Sequence, residues 1–378
     1  MDFQTVFYDL FGQMSFKFTR YTEPHINSLG MINNHMDELH IKNHFVPECY
    51  LKRWADSDQK ICFYRTLVSH ATVPVWNKCS VAAIAYHRHL YTRMVSGEES
   101  DELEKWFDSE YETPANEVLV KVVSNQRLTV NDWHILIKFL AAQDVRTPAR
   151  LYEHLRRTKE SLPQILENTL THLKEKLESG EKIEVTKHKG TIQDASLLPM
   201  KVTTQSVSGE KGRVIKVETY VGRGTWLFSI RHLLENTSKI LLKHKWTIIK
   251  PAKGFKWFTS DNPVVKLNFT DPQNYDLKGG WGKKKGNIIF PIGPGHAIFV
   301  QIGEKPMQKD TMLSVDQTIF FRKIIAENAN RIIFADSFDN EIEKILPRSV
   351  DSIQFNKEQT ELEKWHDLNK QLELAYYK

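Results

Sequence analysis

Apolar residues at helical spacing fill the middle of the chain, and alternating or continuous apolar runs fill its second half. Leu103, Trp106, Phe107 and Tyr111 lie three and four apart and predict a helix over 96–112, capped by Ser96 or Ser100. Pro114 interrupts that pattern and 115–123 resumes it. Thr129 with Asp132 forms a capping box for a helix over 130–146, buried through Trp133, Leu136, Ile137, Leu140 and Ala141. Leu162, Ile165, Leu166, Leu170, Leu173 and Leu177 predict another over 160–178.

Past a lysine-rich polar stretch, Arg213 to Val221 alternates as a half-buried strand does. A helix through Leu227, Ile230, Leu234 and Leu241 follows. Strands are predicted at 245–250, 255–259, 263–268, 288–291, 297–302 and 332–335, with a helix over 316–328 before the last. Leu362, Trp365, Leu368 and Leu372 give the tail from 357 an amphipathic helix. Near the front, 60–64 is the best strand, while residues 1–40 are aromatic-rich without a period; Phe3, Phe7, Leu10 and Phe11 suit a short helix.

These elements predict an α+β fold, with a mainly helical N-terminal half packed on a mixed, largely antiparallel sheet in the C-terminal half. The expected divisions are an aromatic extension (1–43), a helical lobe (44–180), a polar linker (181–212), a sheet lobe (213–356) and a C-terminal helix (357–378). A chain of 378 residues suits two lobes. A net charge of +5 permits an anionic partner without requiring one. Cys49, Cys62 and Cys79 are too few for a disulfide framework or a cysteine-rich zinc site, so a cytoplasmic location is expected. No secretory signal and no apolar run long enough for a membrane span is visible.

Several polar residues stand out against this background. His44 sits among Phe45, Val46, Tyr50, Leu51 and Trp54, with Pro47 suited to the first turn of a helix. Such a histidine is either a hydrogen-bonded core residue or a base or ligand. His87 and His89 would share one face of a strand and could chelate a metal, although no third ligand is apparent. Gln143, Arg146 and Arg150 would form one ridge able to grip a phosphate or carboxylate, or else pair with acidic neighbours. Gly222-Arg223-Gly224-Thr225 opens a helix and could offer free N–H groups to phosphate, a weak signal. Asp261 and Asn262 sit in a Ser-Asp-Asn-Pro turn, as turn formers or with Asp261 aimed into a cleft. Trp281 with Lys283, Lys284 and Lys285 forms a cationic loop, either a solvated tip or a surface that stacks a base and contacts phosphates.

Taken together, His44-Phe45-Val46-Pro47 with Leu51 and Arg53-Trp54, then Gln143 with Arg146-Thr147-Pro148, then Ser260-Asp261-Asn262-Pro263, then Phe290-Pro291-Ile292-Gly293-Pro294, resemble a bacterial family known as domain-of-unknown-function family 4238. Its acid before the middle motif corresponds to Glu112, and its asparagine before the closing strand to Asn328 or Asn330. The resemblance spans about 44–336 and carries no established chemistry. It implies that His44, Glu112, Gln143, Arg146, Asp261 and Asn262 form one assembled site.

Two functions are expected from these residues. One is a phosphodiester hydrolase, a nuclease in a defence or toxin-like role. His44 would be base or metal ligand, Glu112 and Asp261 proton-transfer groups or ligands of a divalent ion, and Gln143 and Arg146 a phosphate clamp. Nucleic acid would then meet Arg150, Trp281 and Lys283–Lys285. No His-Glu-x-x-His or Gly-x-Ser-x-Gly motif accompanies them. The other is a non-enzymatic module in which these residues form a buried polar network or sense a small anion. There the N-terminal extension and C-terminal helix would mediate self-association or bind a partner protein.

Overall fold

A computed structural model describes residues 39–95, 97–179, 200–206 and 213–376, together with the strands Phe7–Tyr8 and Met14–Thr19. Its centre is a six-stranded sheet in the order Asn274–Asp276, Val265–Asp271, Asn287–Gly293, His296–Gln301, Thr247–Lys250 and Thr311–Met312. All of its pairs are antiparallel except the last, which is parallel. Every residue of Asn287–Gly293 is buried because both faces of this sheet are covered. Ile288, Phe290 and Ile292 enter one core with Tyr50, Trp54 and the helices, while Ile289 enters a second core with Trp257, Phe258 and Phe321. A strand covered on both sides loses polar alternation and reads as a continuous apolar run.

A second sheet orders Thr259–Ser260, Ile332–Ala335, Lys60–Arg65 and Trp76–Ser80, all antiparallel. It joins residues more than 260 apart in sequence, since Tyr64 pairs with Ile333. Met14–Thr19 pairs with Arg213–Thr219, which pairs in turn with Met200–Ser206.

The α+β class holds, but the N-terminal half is not mainly helical. Between residues 42 and 100 the chain forms short strands, and its one α-helix there is the single turn Glu48–Leu51. The helix expected from 96 begins only at Glu102, because Gly97, at φ +89°, turns a hairpin between Arg93–Val95 and Glu98–Ser100. Ser96 lies outside the described residues, as do Phe3, Leu10 and Phe11; Phe7 lies on a strand. The final seven residues before 207, expected as linker, are also strand.

From Glu102 the chain runs as helix to Val123, with a π turn over Asp108–Glu112. Pro114 cannot donate to Glu110 and its ring crowds that carbonyl, so the winding widens just ahead of it. The Val130–Val145 helix carries the expected Thr129–Asp132 capping box. Pro148 opens the next helix, Pro148–Glu178, at the position where its missing N–H costs nothing. Arg146 and Thr147 therefore stand at the corner between two helices.

Candidate functional site

That corner points inward. Arg146 is wholly buried, and its guanidinium is gripped from three sides. Nη1 donates to Glu112 Oε1 at 2.5 Å, Nη2 to the His44 carbonyl, and Nε to the Tyr91 hydroxyl at 3.5 Å. The Phe107 ring lies 4.3 Å from the guanidinium carbon, and Glu104 Oε2 is 3.9 Å from Nη2. The Tyr91 hydroxyl donates back to the Arg146 carbonyl at 2.7 Å. Burial opposes the charge, but Glu112, Tyr91 and Glu104 outweigh it and raise the guanidinium above its ordinary pKa. Burial drives the Glu104 carboxyl up to about 7 against the pull of Arg146. It also drives the His44 imidazole down to about 4, with Glu48 opposing. His44 is thus a neutral ring whose Nε2 is buried without a hydrogen bond. Burial pushes the nearby Cys49 thiol up to about 12, which removes it as a nucleophile.

The Ser-Asp-Asn-Pro turn joins the same frame. Thr147 Oγ1 bonds Asn262 Oδ1 at 3.4 Å, and Asn262 and Asn328 exchange side-chain to main-chain bonds at 2.9 and 2.6 Å. Asp261 accepts the amides of Asn330 and Arg331 at 2.8 and 2.7 Å. The residue lines a cleft of about 740 Å³ together with Phe45, Arg65, Pro148 and Asn330. Burial raises its carboxyl to about 6 despite those amides. The Tyr50 hydroxyl completes the frame, bonding Thr259 Oγ1 and the Pro291 carbonyl at 2.6 Å each.

The expected ridge of Gln143, Arg146 and Arg150 does not form, because the helix breaks between its members. Gln143 is wholly buried with neither amide atom hydrogen-bonded, so it grips no external anion. Arg150 faces a different place, a pocket of about 270 Å³ beside the corner. Asp144 organises that pocket. Its Oδ1 accepts from Arg150 Nη2 at 2.9 Å, and its Oδ2 from Lys266 Nζ and Trp281 Nε1, both at 2.6 Å. Burial works against its ionisation, but Arg150 and Lys266 outweigh that and hold the carboxyl below its ordinary value.

This bond overturns the expected role of Trp281. The ring is buried and tethered, so it presents no face to a base. Gly279 permits the tether: a Cβ there would lie 2.8 Å from the Leu267 amide. Lys283, Lys284 and Lys285 remain exposed at the tip. His154, unremarked in the sequence, lines the same pocket, with Nε2 near Thr158 and Thr225 and Nδ1 buried without a bond.

The metal-like grouping also differs from expectation. Ligand atoms of His89, Glu99 and His366 lie within 4.8 Å of one another, whereas among the described residues His44, Glu112 and Asp261 form no such group. The His89 and His366 rings are stacked at 4.0 Å and 21°. An ion must lie near the plane of each ligating ring, and two near-parallel rings cannot meet that condition together. Lys370 already neutralises Glu99 at 2.6 Å, and Arg223 Nη1 lies 3.0 Å from His366 Nδ1. The cluster fastens the C-terminal helix to its own chain, as does the buried Arg223–Glu373 pair at 2.8 and 2.9 Å. The Arg223 and Gly222 amides are taken by Asn369 and Thr225, so neither is open to phosphate at that helix end.

The sequence from 42 to 339 matches the model of a family described as protein of unknown function DUF4238. The chain belongs to this family. No curated protein and no solved structure matches it. In this DUF4238 member the segments around His44 and Asn262 meet Arg146 and Thr147 through contacts that face inward, and the segment at Pro291 is bonded to Tyr50. Residues missing from the sequence reading are Tyr91, Glu104, Asp144 and Lys266. Asp144 had a signal, an acid on an otherwise apolar helix between the expected ridge residue Gln143 and Val145. Tyr91 had none, since its partner is 55 residues away.

Proposed function

We propose that the protein is a ligand-sensing module in which the buried frame around Arg146 sets the geometry and the Asp144 pocket takes a small anion. The supporting observation is the charge of that pocket: Arg150, Arg157 and Lys266 face Asp144 and Glu153, leaving one cation uncompensated. Lys266 uses one donor on Asp144 and is a three-donor group, so its ammonium can still serve a ligand. Trp281 ties the loop at 279–281 to the same carboxylate, so ligand contact would be felt by that loop. The test is an NMR titration of indole-¹⁵N-labelled protein with small anions, following the Trp281 Nε1–H resonance assigned through Trp281→Phe. Saturable movement of that resonance is expected; its indifference to acetate, benzoate and phosphate alike would end the reading.

A second reading, hydrolysis of a phosphodiester, rests on Asp261. A carboxyl raised to about 6 at the wall of a large cleft can exchange a proton near neutral pH. Arg65, half-buried in the same cleft, has no hydrogen-bond or ion-pair partner among the described residues. Incubation with RNA and DNA, with and without magnesium, manganese or zinc, decides it. Cleavage by the wild type that Asp261→Asn abolishes would establish this chemistry, and no cleavage under any metal would dismiss it.

A further inference from the structure

The Asp144 pocket is lined by two kinds of residue, and together they restrict what it takes. Lys266, Arg150 and Arg157 supply charge. Val145, Trp226, Ile230 and Leu233 supply an apolar lining. Building on the reading of this pocket as an anion site, we propose that its ligand is a monocarboxylate with a compact apolar body, such as an aryl or branched aliphatic acid.

Charge decides against phosphate. The lining has three cations against two carboxylates, an excess of one. A phosphate monoester carries about −1.5 to −2 near pH 7, so binding one would bury uncompensated negative charge beside Asp144. A carboxylate brings a single charge and matches the excess. Size agrees: about 270 Å³ is near the lower end of small-molecule sites. The apolar lining, exposed chiefly at half-buried Leu233, gives an apolar body a surface that a bare anion would leave uncovered, and covering it is favourable in proportion to the area removed from water.

The experiment compares sodium benzoate, sodium acetate, inorganic phosphate and benzyl alcohol as probes, by titration of the full chain at fixed ionic strength. Benzoate should bind at least tenfold more tightly than acetate, phosphate or benzyl alcohol. Arg157→Glu, a reversal at an exposed position, turns the excess of one cation into an excess of one carboxylate and should weaken benzoate at least tenfold. Ser229→Phe, which fills the pocket from its rim, should abolish binding. Phosphate binding as tightly as benzoate would overturn the carboxylate class while leaving the anion pocket standing. Benzyl alcohol matching benzoate would show that charge is not read. Failure of every probe to bind would remove the class and the pocket together. Benzoate binding unchanged in both variants would place it elsewhere on the protein.

Discussion

Replacing Arg146 by methionine tests whether the motif residues form a frame. The substitution keeps much of the side-chain volume and removes the charge. Glu112 and Glu104, with side chains 19% and 14% exposed, then lose their cationic partner. Stripping one partner from a buried ion pair costs about 3–5 kcal/mol, and the partial exposure of Glu112 places this case near ~3. Against a total stability of ~5–15 kcal/mol, that is a large fraction. Urea unfolding followed by far-UV circular dichroism measures the loss. The companion variant Glu112→Gln and the double variant complete a cycle, and a coupling of ~1–3 kcal/mol is expected because the residues touch. Raising the ionic strength to ~1 M, where the Debye length is ~3 Å, should leave that coupling nearly unchanged, as screening acts weakly on buried pairs. A loss below ~1 kcal/mol for Arg146→Met, or strict additivity in the cycle, would show that the corner is not the keystone described above.

Other consequences follow from the same contacts. Trp281→Phe keeps an aromatic ring but shrinks it and leaves Asp144 short of one donor, and should lower stability by ~1–3 kcal/mol in urea unfolding; replacing Lys283–Lys285 by glutamine should change it by less than ~0.5. Gly279→Ala drives a methyl against the Leu267 backbone, so a loss of ~1–3 kcal/mol and a shifted Trp281 indole resonance are expected; a neutral outcome would contradict the close approach. Asp261 has a folded pKa near 6 against an ordinary 3.8. Its contribution is therefore full below about 3.8 and fades as pH rises through 6. At ~1.36 kcal/mol per unit this amounts to ~3 kcal/mol. Relative to Asp261→Asn, the wild type should lose up to that much stability between acid and neutral pH, and a gain over that range would reverse the argument.

What the sequence made legible was local. The capping box at Thr129 and Asp132 and most strand runs of the second half come from spacing and short-range chemistry, and they stand in the fold; the strand expected over 255–259 does not, since only Thr259 and Ser260 pair there. The front was misjudged because Gly97 diverts the chain into a hairpin just where the apolar spacing already looks helical. The candidate site was legible as a set of segments but not as a geometry. Arg146 and Arg150 belong on one helical ridge only if the helix continues, and the turn at Thr147 sends one guanidinium inward and the other to the pocket. Trp281 beside three lysines looks like a surface feature, yet its destination depends on Asp144, 137 residues away. No periodicity reports a pairing of that range.

The π turn at Asp108–Glu112 has a further implication for how this chain can change length. Leu103, Phe107, Tyr111, Ala115 and Leu119 are all buried and all four apart. At ~100° per residue, a regular helix would carry such a series ~40° further round at each step, so the last would sit nearly opposite the first. The wide turn winds the series back. Its extra residue is a built-in insertion, and it fixes where Glu112 stands relative to Arg146. Removing one residue from this turn would change the phase of Glu112 against the Glu102–Phe107 helix and carry the carboxylate away from its partner, while Pro114 would still deny the preceding turn a regular hydrogen bond. In this segment residue count constrains the protein as tightly as residue identity.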